Sequence, residues 1–236
     1  MPKTGKNKIF AISDLHLPGS RQKTMDMFGP VWEGHFDKIK SDWKDKVSEE
    51  DTVLLPGDTS WAMTLEEAMP DIFAIGELPG KKVILRGNHD FWWSSISRLR
   101  NALPENMFAI QNDALKIENT IICGTRGWLK PEGENAAADQ KIYDREVKRL
   151  TLSLEKADSL RKNEKIVAMM HYPPLDCDGS GSPFTMLFEK FNVSAVVYGH
   201  LHGAAIYSAF SGIKNNVLYR LVSCDALKFS LTQLEV

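Results

Sequence analysis

The chain has 236 residues, of which 43% are hydrophobic and 25% are charged, and its 29 basic residues nearly balance its 31 acidic ones. This is the composition of an ordinary globular protein, without a disordered acidic tail or a polybasic surface for nucleic acid or membranes. No apolar run approaches the roughly 18 residues that span a bilayer, and the first residues lack the apolar core of a signal peptide.

In the first hundred residues, short β-branched runs alternate with helical stretches. The predicted elements are strands at Lys8–Ile12, Thr52–Pro56 and Lys82–Arg86, helices at Glu33–Val47 and Thr64–Leu78, and a helix that begins at Ser94 or Ser95 and ends at Leu103. Proline lacks the amide hydrogen that a helix interior needs, so Pro70 is expected to break or kink the second helix near Met69.

The second half of the chain continues this alternation and ends in β-structure. Residues 107–124 hold three short apolar runs typical of hairpin strands. Further predicted elements are a helix at Asp139–Lys162, a strand at Lys165–Met170, a helix that starts at Ser182-Pro183, and strands at Ser194–Tyr198, Val217–Ser223 and Leu227–Thr232. The last two strands are expected to be antiparallel. The order of elements predicts an α/β fold with a mixed sheet or two packed sheets.

Residues of metal-binding type directly follow five of these strands. They are Asp14 and His16, Gly57-Asp58, Gly87-Asn88-His89-Asp90, His171, and Gly199-His200-Leu201-His202. The carboxyl ends of neighbouring strands meet at one crevice in α/β sheets, so these side chains are expected to converge. A single histidine of this kind more often serves structure, but five of the six histidines lie at predicted strand ends. His35, in a predicted helix without a motif, is interpreted as structural.

The chemistry of this set of residues points to transition metals. Carboxylate, imidazole and amide ligands without a thiolate favour Mn, Fe, Zn, Ni or Co. Seven candidate ligands are too many for one tetrahedral ion and suit two ions. Two dications beside Asp14 and Asp58 would leave a positive site that attracts a phosphate ester.

The ordered motifs from Asp14 to His202 resemble those of the calcineurin-like metallophosphoesterase superfamily. The resemblance implies an α/β fold in the form of a four-layer αββα sandwich, with two mixed β-sheets flanked by helices, built by residues 1–236 as one domain. It also implies hydrolysis of phosphoric esters at two divalent transition-metal ions, with a bridging hydroxide as the nucleophile.

The resemblance also assigns roles by position. Asp14, His16 and His202 would hold one metal, Asn88, His171 and His200 the second, and Asp58 would bridge both. His89 would act as the general acid that protonates the leaving group, and Asp90 would orient its ring.

Three further residues are candidates for binding the substrate. The stretch after Gly57-Asp58 lacks the arginine with which serine/threonine protein phosphatases of this superfamily grip phosphate, so protein phosphatase activity is disfavoured. Arg126, which lies in a glycine-flanked turn, either grips the phosphate instead or is an ordinary surface arginine. Trp92 and Trp93 either stack on a nucleobase or aryl group, or pack beneath the site.

The function expected from these features is hydrolysis of a small-molecule phosphomonoester or phosphodiester, with nucleotides among the candidate substrates. The alternative is a non-catalytic scaffold of the same fold that binds a partner protein, although such a scaffold would have no use for His89. The net charge of −2 argues against long nucleic acid as the substrate. Three widely spaced cysteines, without a CxxC pair, indicate reduced thiols and a cytoplasmic location. The oligomeric state stays open.

Overall fold

Eleven strands and five α-helices make up the fold in a computed structural model that describes residues 7–20, 25–176 and 178–236. The strands are β1 (Ile9–Ala11), β2 (Thr52–Leu55), β3 (Lys81–Ile84), β4 (Met107–Ala109), β5 (Ala114–Ile117), β6 (Thr120–Thr125), β7 (Lys165–Met170), β8 (Ala195–Tyr198), β9 (Gly212–Lys214), β10 (Val217–Leu221) and β11 (Thr232–Leu234). The helices are α1 (His35–Lys46), α2 (Leu65–Gly76), α3 (Ile96–Ala102), α4 (Ala136–Leu160) and α5 (Pro183–Lys190). None of these helices is both long enough and apolar enough to cross a bilayer.

The strands form two mixed sheets. The first has the order β11-β1-β2-β3-β4, in which β1 to β4 are parallel and β11 runs antiparallel to β1. The second has the order β5-β6-β7-β8-β10-β9, in which a parallel centre is flanked by an antiparallel strand at each edge. Parallel neighbours need crossover connections, and the helices that supply most of them cover the outer faces of the sheets.

Three groups of buried apolar side chains separate the layers. Trp43 of α1, Ile72 of α2 and Leu99 of α3 pack on the first sheet. Leu150 of α4 and Phe188 of α5 pack on the second. The third group joins apolar residues of both sheets face to face. The predicted four-layer αββα sandwich is therefore confirmed, while the assignment of residues 1–236 to one domain stays a prediction.

The expected break at Pro70 does not occur. Helix α2 runs from Leu65 to Gly76 with Pro70 inside it. Pro70 and Glu66, whose carbonyl would lose its amide partner, both lie at exposed positions. Water can satisfy that carbonyl there, which lowers the cost of the proline.

The predicted strand at Leu227–Thr232 is wrong. Residues 224–229 form turns, and Lys228 and Phe229 have left-handed backbones with φ of 54° and 61°. The strand begins only at Thr232, and it pairs antiparallel with β1 rather than with β10. Phe229 is buried as the alternation predicted, but turns rather than a ladder place it there.

The three apolar runs in residues 107–124 divide between the sheets. Strands β5 and β6 form the predicted hairpin, joined at Glu118 with a positive φ of 49°. Strand β4 instead pairs parallel with β3 in the other sheet. The chain therefore crosses from the first sheet to the second between β4 and β5.

Candidate metal centre

The seven predicted ligands converge at one end of the two sheets. The loops after β1, β2 and β3 carry Asp14, His16, Asp58 and Asn88, and the loops after β7 and β8 carry His171, His200 and His202. Two groups among them have possible ligand atoms that all lie within 4.8 Å of one another, namely Asp14, His16 and His202, and Asp14, Asp58 and His171. Each group draws on both sheets.

The first group surrounds the ring of His202. Its Nε2 lies 3.3 Å from Asp14 Oδ1 and 3.4 Å from His16 Nε2. Asp14 and His16 are buried, whereas His202 is partly exposed. One open side next to two buried ligands is what a substrate would need to reach an ion held there.

Asn88 and His200 lie next to His171 of the second group. The Oδ1 atom of Asn88 lies 2.6 Å from His171 Nε2 and 2.9 Å from His200 Nδ1. Asp58 Oδ2 lies 3.5 Å from His171 Nε2 and 3.8 Å from His16 Nε2. One carboxylate oxygen thus adjoins histidines of both groups.

The hydrogen bonds around this cluster fit a metal. A carbonyl oxygen can only accept, so His171 Nδ1 donates to the Pro56 carbonyl at 3.1 Å, and its Nε2 carries a lone pair. That lone pair faces Asn88 Oδ1, which is also an acceptor. Facing acceptors repel unless a cation stabilises them, and oxygen with imidazole nitrogen is a donor set that divalent transition metals accept.

Asp225, which the sequence analysis missed, supports the first group through His202. Its Oδ1 accepts a hydrogen bond from His202 Nδ1 at 2.9 Å, and its Oδ2 accepts one from the Gly203 amide at 3.0 Å. A carboxylate on the remote nitrogen of a ligand histidine fixes the ring orientation and makes the ligand more basic. No motif surrounds Asp225, and only the fold of the C-terminal turns brings it to His202.

The pKa values follow from burial and from these contacts. Burial lowers the pKa of His16 and His171 to about 3 and that of His200 to about 4, which leaves neutral rings with free lone pairs. Burial acts on His202 in the same direction, but its hydrogen bonds to two carboxylates raise its pKa to about 10. Burial and nearby carboxylates raise the pKa of Asp58 well above its ordinary value. The ionised form of Asp58 therefore needs a nearby cation to stabilise it.

The backbone of the cluster is strained at four of the seven positions. Asp14, His16, Asp58 and His200 have left-handed φ angles of 59°, 46°, 53° and 74°. Such conformations cost on the order of 1–3 kcal/mol each and concentrate at functional sites. Backbone hydrogen bonds between the loops hold them, from the Asp14 amide to the Gly57 carbonyl and from the His16 amide to the Asp58 carbonyl, both at 3.0 Å.

Two motif glycines allow the loops to approach one another. A Cβ atom at Gly199 would collide with Asp14 Oδ2 and Ser13 Oγ. A Cβ atom at Gly87 would collide with the side chain and amide nitrogen of Asp58. Each glycine therefore makes room for a candidate ligand from another loop.

His89 lies at the edge of the cluster. Its ring centroid is 5.7 Å from that of His16, 4.6 Å from that of Trp61 and 6.4 Å from that of Phe91. Its backbone amide donates to Asp58 Oδ1 at 2.8 Å. The residue thus positions Asp58 through its main chain and leaves its ring among aromatic side chains beside the site.

Asp90 fastens two of the site loops to each other, and its role in orienting the His89 ring stays a prediction. Its buried carboxylate accepts hydrogen bonds from the amides of Asp58 at 2.8 Å, Thr59 at 2.9 Å, Ser60 at 3.3 Å and Gly87 at 2.7 Å. The indole of Trp92 adds a fifth at 2.8 Å. These bonds fasten the loop that carries Asp58 to the loop that carries Asn88.

Of the two alternatives for Trp92 and Trp93, burial supports packing in the core, so their candidate role in substrate binding is corrected. Their side chains are 1% and 5% exposed and pack in the core of the first sheet. Two aromatic residues nearer the opening are Trp61, whose ring stacks on His16 at a centroid distance of 4.6 Å, and Phe91, which is 53% exposed. Aromatic residues after the motifs were noticeable in the sequence, but alternation could not tell buried ones from exposed ones.

Arg126 lies next to the loop of His171. Its carbonyl accepts hydrogen bonds from the amides of His171 and Tyr172, both at 3.0 Å. Its guanidinium lies over the ring of Trp128 at 4.9 Å. The residue is therefore a neighbour of the cluster and partly buried rather than a free surface arginine.

Comparison with known proteins identifies the family. Residues 7–204 match the family model of calcineurin-like phosphoesterases, whereas no match was found among curated proteins. The phosphopantetheinyl hydrolase of Mycobacterium tuberculosis has a similar fold, with a TM-score of 0.60, 17% identity, and coverage of 98% of this chain and 96% of that chain. A protein of unknown function from Aquifex aeolicus gives a TM-score of 0.52, 14% identity and coverage of 97% and 96%. The chain belongs to the calcineurin-like phosphoesterase family and is a metal-dependent phosphoesterase.

Proposed function

We propose that the protein hydrolyses a small-molecule phosphomonoester or phosphodiester at a centre of two divalent transition metals. The observation that carries this proposal is the position of Asp58, whose Oδ2 lies within 4 Å of histidine nitrogens from both ligand groups. A carboxylate in that position can give an oxygen to each of two ions. A single-ion site would have no need of it.

The chain supplies a complete ligand set for two ions. We assign Asp14, His16 and His202 to one, Asn88, His171 and His200 to the other, and Asp58 to both. When bound, the metals supply positive charge for the phosphate and an activated water for attack at phosphorus. Mn, Fe, Zn, Ni and Co all suit these ligands.

His89 is the residue we assign to proton transfer. Its ring lies beside His16 at the edge of the cluster, where the leaving group of a bound ester would emerge. Imidazole can hold and release a proton near neutral pH, so it can protonate the departing oxygen. Asp90 acts indirectly, because its bonds to the Asp58 and Gly87 amides set the loop that precedes His89.

The size and character of the substrate follow from the rim of the site. Trp61 and Phe91 flank His89, so an aromatic leaving group such as a nucleobase or aryl ring can pack there. The net charge of −2 gives no general attraction for long nucleic acid. A cytoplasmic location and nucleotide substrates are parts of this proposal.

A substrate panel tests the proposal. The metal-loaded protein is assayed from pH 6 to 9 with bis-p-nitrophenyl phosphate, p-nitrophenyl phosphate, nucleotides and cyclic nucleotides. We expect turnover of at least one ester that requires metal and that is lost in Asp58→Asn. Absence of turnover across the whole panel with Mn, Fe, Zn, Ni and Co in turn would contradict the enzymatic proposal.

A further inference from the structure

A second polar cavity lies beside the metal centre. It has a volume of about 230 Å³ and is lined by the ends of β3, β4 and β6 and by helix α4. Its charged lining consists of Arg86, Arg126, Arg145, Arg149 and Glu146. We call it the arginine cavity. Four guanidinium groups against one carboxylate leave it strongly positive, in a protein whose net charge is −2.

The single carboxylate of the arginine cavity is already engaged. Glu146 is fully buried, its Oε1 accepts from Arg149 at 2.6 Å, and its Oε2 accepts from the Thr125 hydroxyl at 2.7 Å. Arg145 Nε lies 3.8 Å from the same Oε1, too far for a hydrogen bond. Glu146 therefore offsets about one of the four positive charges.

Among the described residues that line the arginine cavity, Glu146 is the one anionic group. Arg86 Nε is buried and has no hydrogen-bond partner among the described residues, and an unpaired buried donor is costly. The guanidinium of Arg126 is held over the Trp128 ring. Arg86, Arg126 and Arg145 line the same cavity of about 230 Å³, so their positive charges repel one another. An anion between them would satisfy Arg86 and remove the repulsion.

The arginine cavity and the metal centre share two chain segments. Arg86 directly precedes Gly87-Asn88, and Arg126 accepts hydrogen bonds at its carbonyl from the amides of His171 and Tyr172. The ring of Tyr172 in turn lies 4.2 Å from that of His200. The two places are thus joined by neighbouring residues of the same loops, so one small molecule could reach both.

We propose that the arginine cavity binds a second, non-scissile phosphate of the substrate, which is then a small molecule with two phosphate groups. Guanidinium forks match phosphate oxygens, and a phosphate dianion offers several acceptors to more than one arginine. The inference rests on the proposed function, because it places the first phosphate at the metals. It differs from a role for Arg126 on the scissile phosphate, since the cavity extends to α4.

The binding test uses inorganic phosphate and the metal-loaded protein. Calorimetry should detect two phosphates per chain, one at the metals and one in the arginine cavity. Arg145→Gln and Arg149→Gln should each lower the phosphate affinity of one of the two sites at least tenfold and leave the affinity of the other site unchanged. Lys148→Gln removes the same charge from an exposed position of the same helix and should change neither site. A single phosphate per chain, bound with the same affinity in both arginine variants, would overturn the proposal that the cavity binds phosphate.

Arg149→Gln removes a partner of buried Glu146 and so can disturb folding, whereas the Arg145 side chain is 53% exposed. If thermal melting shows that Arg149→Gln is unfolded, Arg145→Gln decides the test.

A kinetic test separates a substrate phosphate from free phosphate. Adenosine 3′,5′-bisphosphate is compared with adenosine 3′- and 5′-monophosphates as substrates, and we expect at least a tenfold higher kcat/KM for the bisphosphate. Arg145→Gln should reduce that ratio about fivefold or more, and Lys148→Gln should not. Equal kcat/KM values alongside two bound inorganic phosphates would overturn the substrate assignment and leave a free-phosphate site. Bis-p-nitrophenyl phosphate is assayed in parallel. Loss of its turnover would show that the metal centre has failed, rather than phosphate binding in the cavity.

Discussion

Asp58 is the residue that the proposed chemistry uses most directly. Its Oδ1 accepts the His89 amide, and its Oδ2 faces histidines of both ligand groups. Burial first, and then Asp90 and Asp14, raise its pKa, so ionised Asp58 is unstable without a cation. Its carboxylate and the metals therefore depend on one another.

Asp58→Asn should weaken both metals together. An amide cannot give an anionic oxygen to two ions, but it can still accept the His89 amide hydrogen. We expect metal content after dialysis to fall from about two ions per chain to less than one, measured by atomic emission. Asp37→Asn, at an exposed position of α1, is the control. Retention of one full equivalent in Asp58→Asn would contradict the bridging assignment.

His89→Ala should keep both metals and lose rate. The bond from residue 89 to Asp58 comes from the backbone amide, so it survives the substitution. Loss of a general acid costs roughly 10²–10⁴ in kcat. The loss should be smaller for p-nitrophenyl esters, whose leaving group needs little protonation, than for alkyl esters. Loss of metal from this variant would move His89 into the ligand set.

Metal binding should release the proton that His202 carries in the metal-free protein. With a pKa raised to about 10, His202 is protonated at pH 7, and a metal must displace that proton. Metal affinity should therefore rise with pH from 7 to 9, by about tenfold per unit for each proton released. Calorimetry in buffers of different ionisation enthalpy should give at least one proton per chain. Asp225→Asn removes one carboxylate partner of His202, so this variant should release fewer protons when it binds metal. An unchanged number of released protons would contradict the role of Asp225 in keeping His202 protonated.

The residues that could be predicted are those whose motifs report local chemistry. A carboxylate or histidine directly after a strand lies at the sheet edge whatever its surroundings, so the seven candidate ligands were identifiable. His35 also behaves as predicted, since its ring nitrogens lie 3.2 Å and 2.8 Å from the carbonyls of Trp32 and Leu15. Asp225 was not identifiable, because its partner His202 is 23 positions away and only tertiary folding joins them.

Loops of the two sheets meet through close backbone contacts. The Asp14 and Gly199 loops come from different sheets, and the His200 amide donates to both carboxylate oxygens of Asp14 at 3.1 Å. This contact needs a residue without a side chain at position 199. Gly199 is thus needed for the contact between loops of the two sheets as well as for its own turn.

Gly199→Ala should displace Asp14 and damage the first metal site. The added methyl group would overlap the Asp14 carboxylate, so either the loop or the ligand must move. We expect at least a tenfold weaker affinity for one of two metals, seen as two separated transitions in a calorimetric titration. Gly212→Ala, where the new atom makes only ordinary contact with Phe210 at 3.6 Å, should titrate as wild type. Two unchanged sites in Gly199→Ala would contradict the packing argument.

Element prediction failed where local pattern and tertiary contact disagree. The alternation of Leu227–Thr232 is real in burial, but turns with positive φ produce it. The edge of β1 was open for β11, and no local signal tells which sheet a short terminal strand will join. The arginine cavity was hidden for the same reason, because Arg86, which follows β3 of the first sheet, meets Arg149 of α4, which covers the second sheet, only in the folded protein.

The candidate centre joins the two sheets at one end. Each ligand group takes residues from loops of both sheets, while the apolar layer between the sheets lies behind them. Without a cation the same end holds facing acceptors and carboxylates of perturbed pKa. Metals should therefore stabilise the joint between sheets as well as supply chemistry.

Metal removal should lower the thermal stability of the entire fold. A ligand at 100 times its Kd adds about 2.7 kcal/mol to the free energy of unfolding. For a chain of 236 residues, about 2–4 °C accompanies each kcal/mol, so chelation should lower the Tm by about 5–10 °C. Asp58→Asn, which holds metal weakly, should show a much smaller difference between loaded and chelated samples. The sample is first shown to contain two ions. If chelation then leaves the Tm unchanged, the ions do not stabilise the contact between the two sheets.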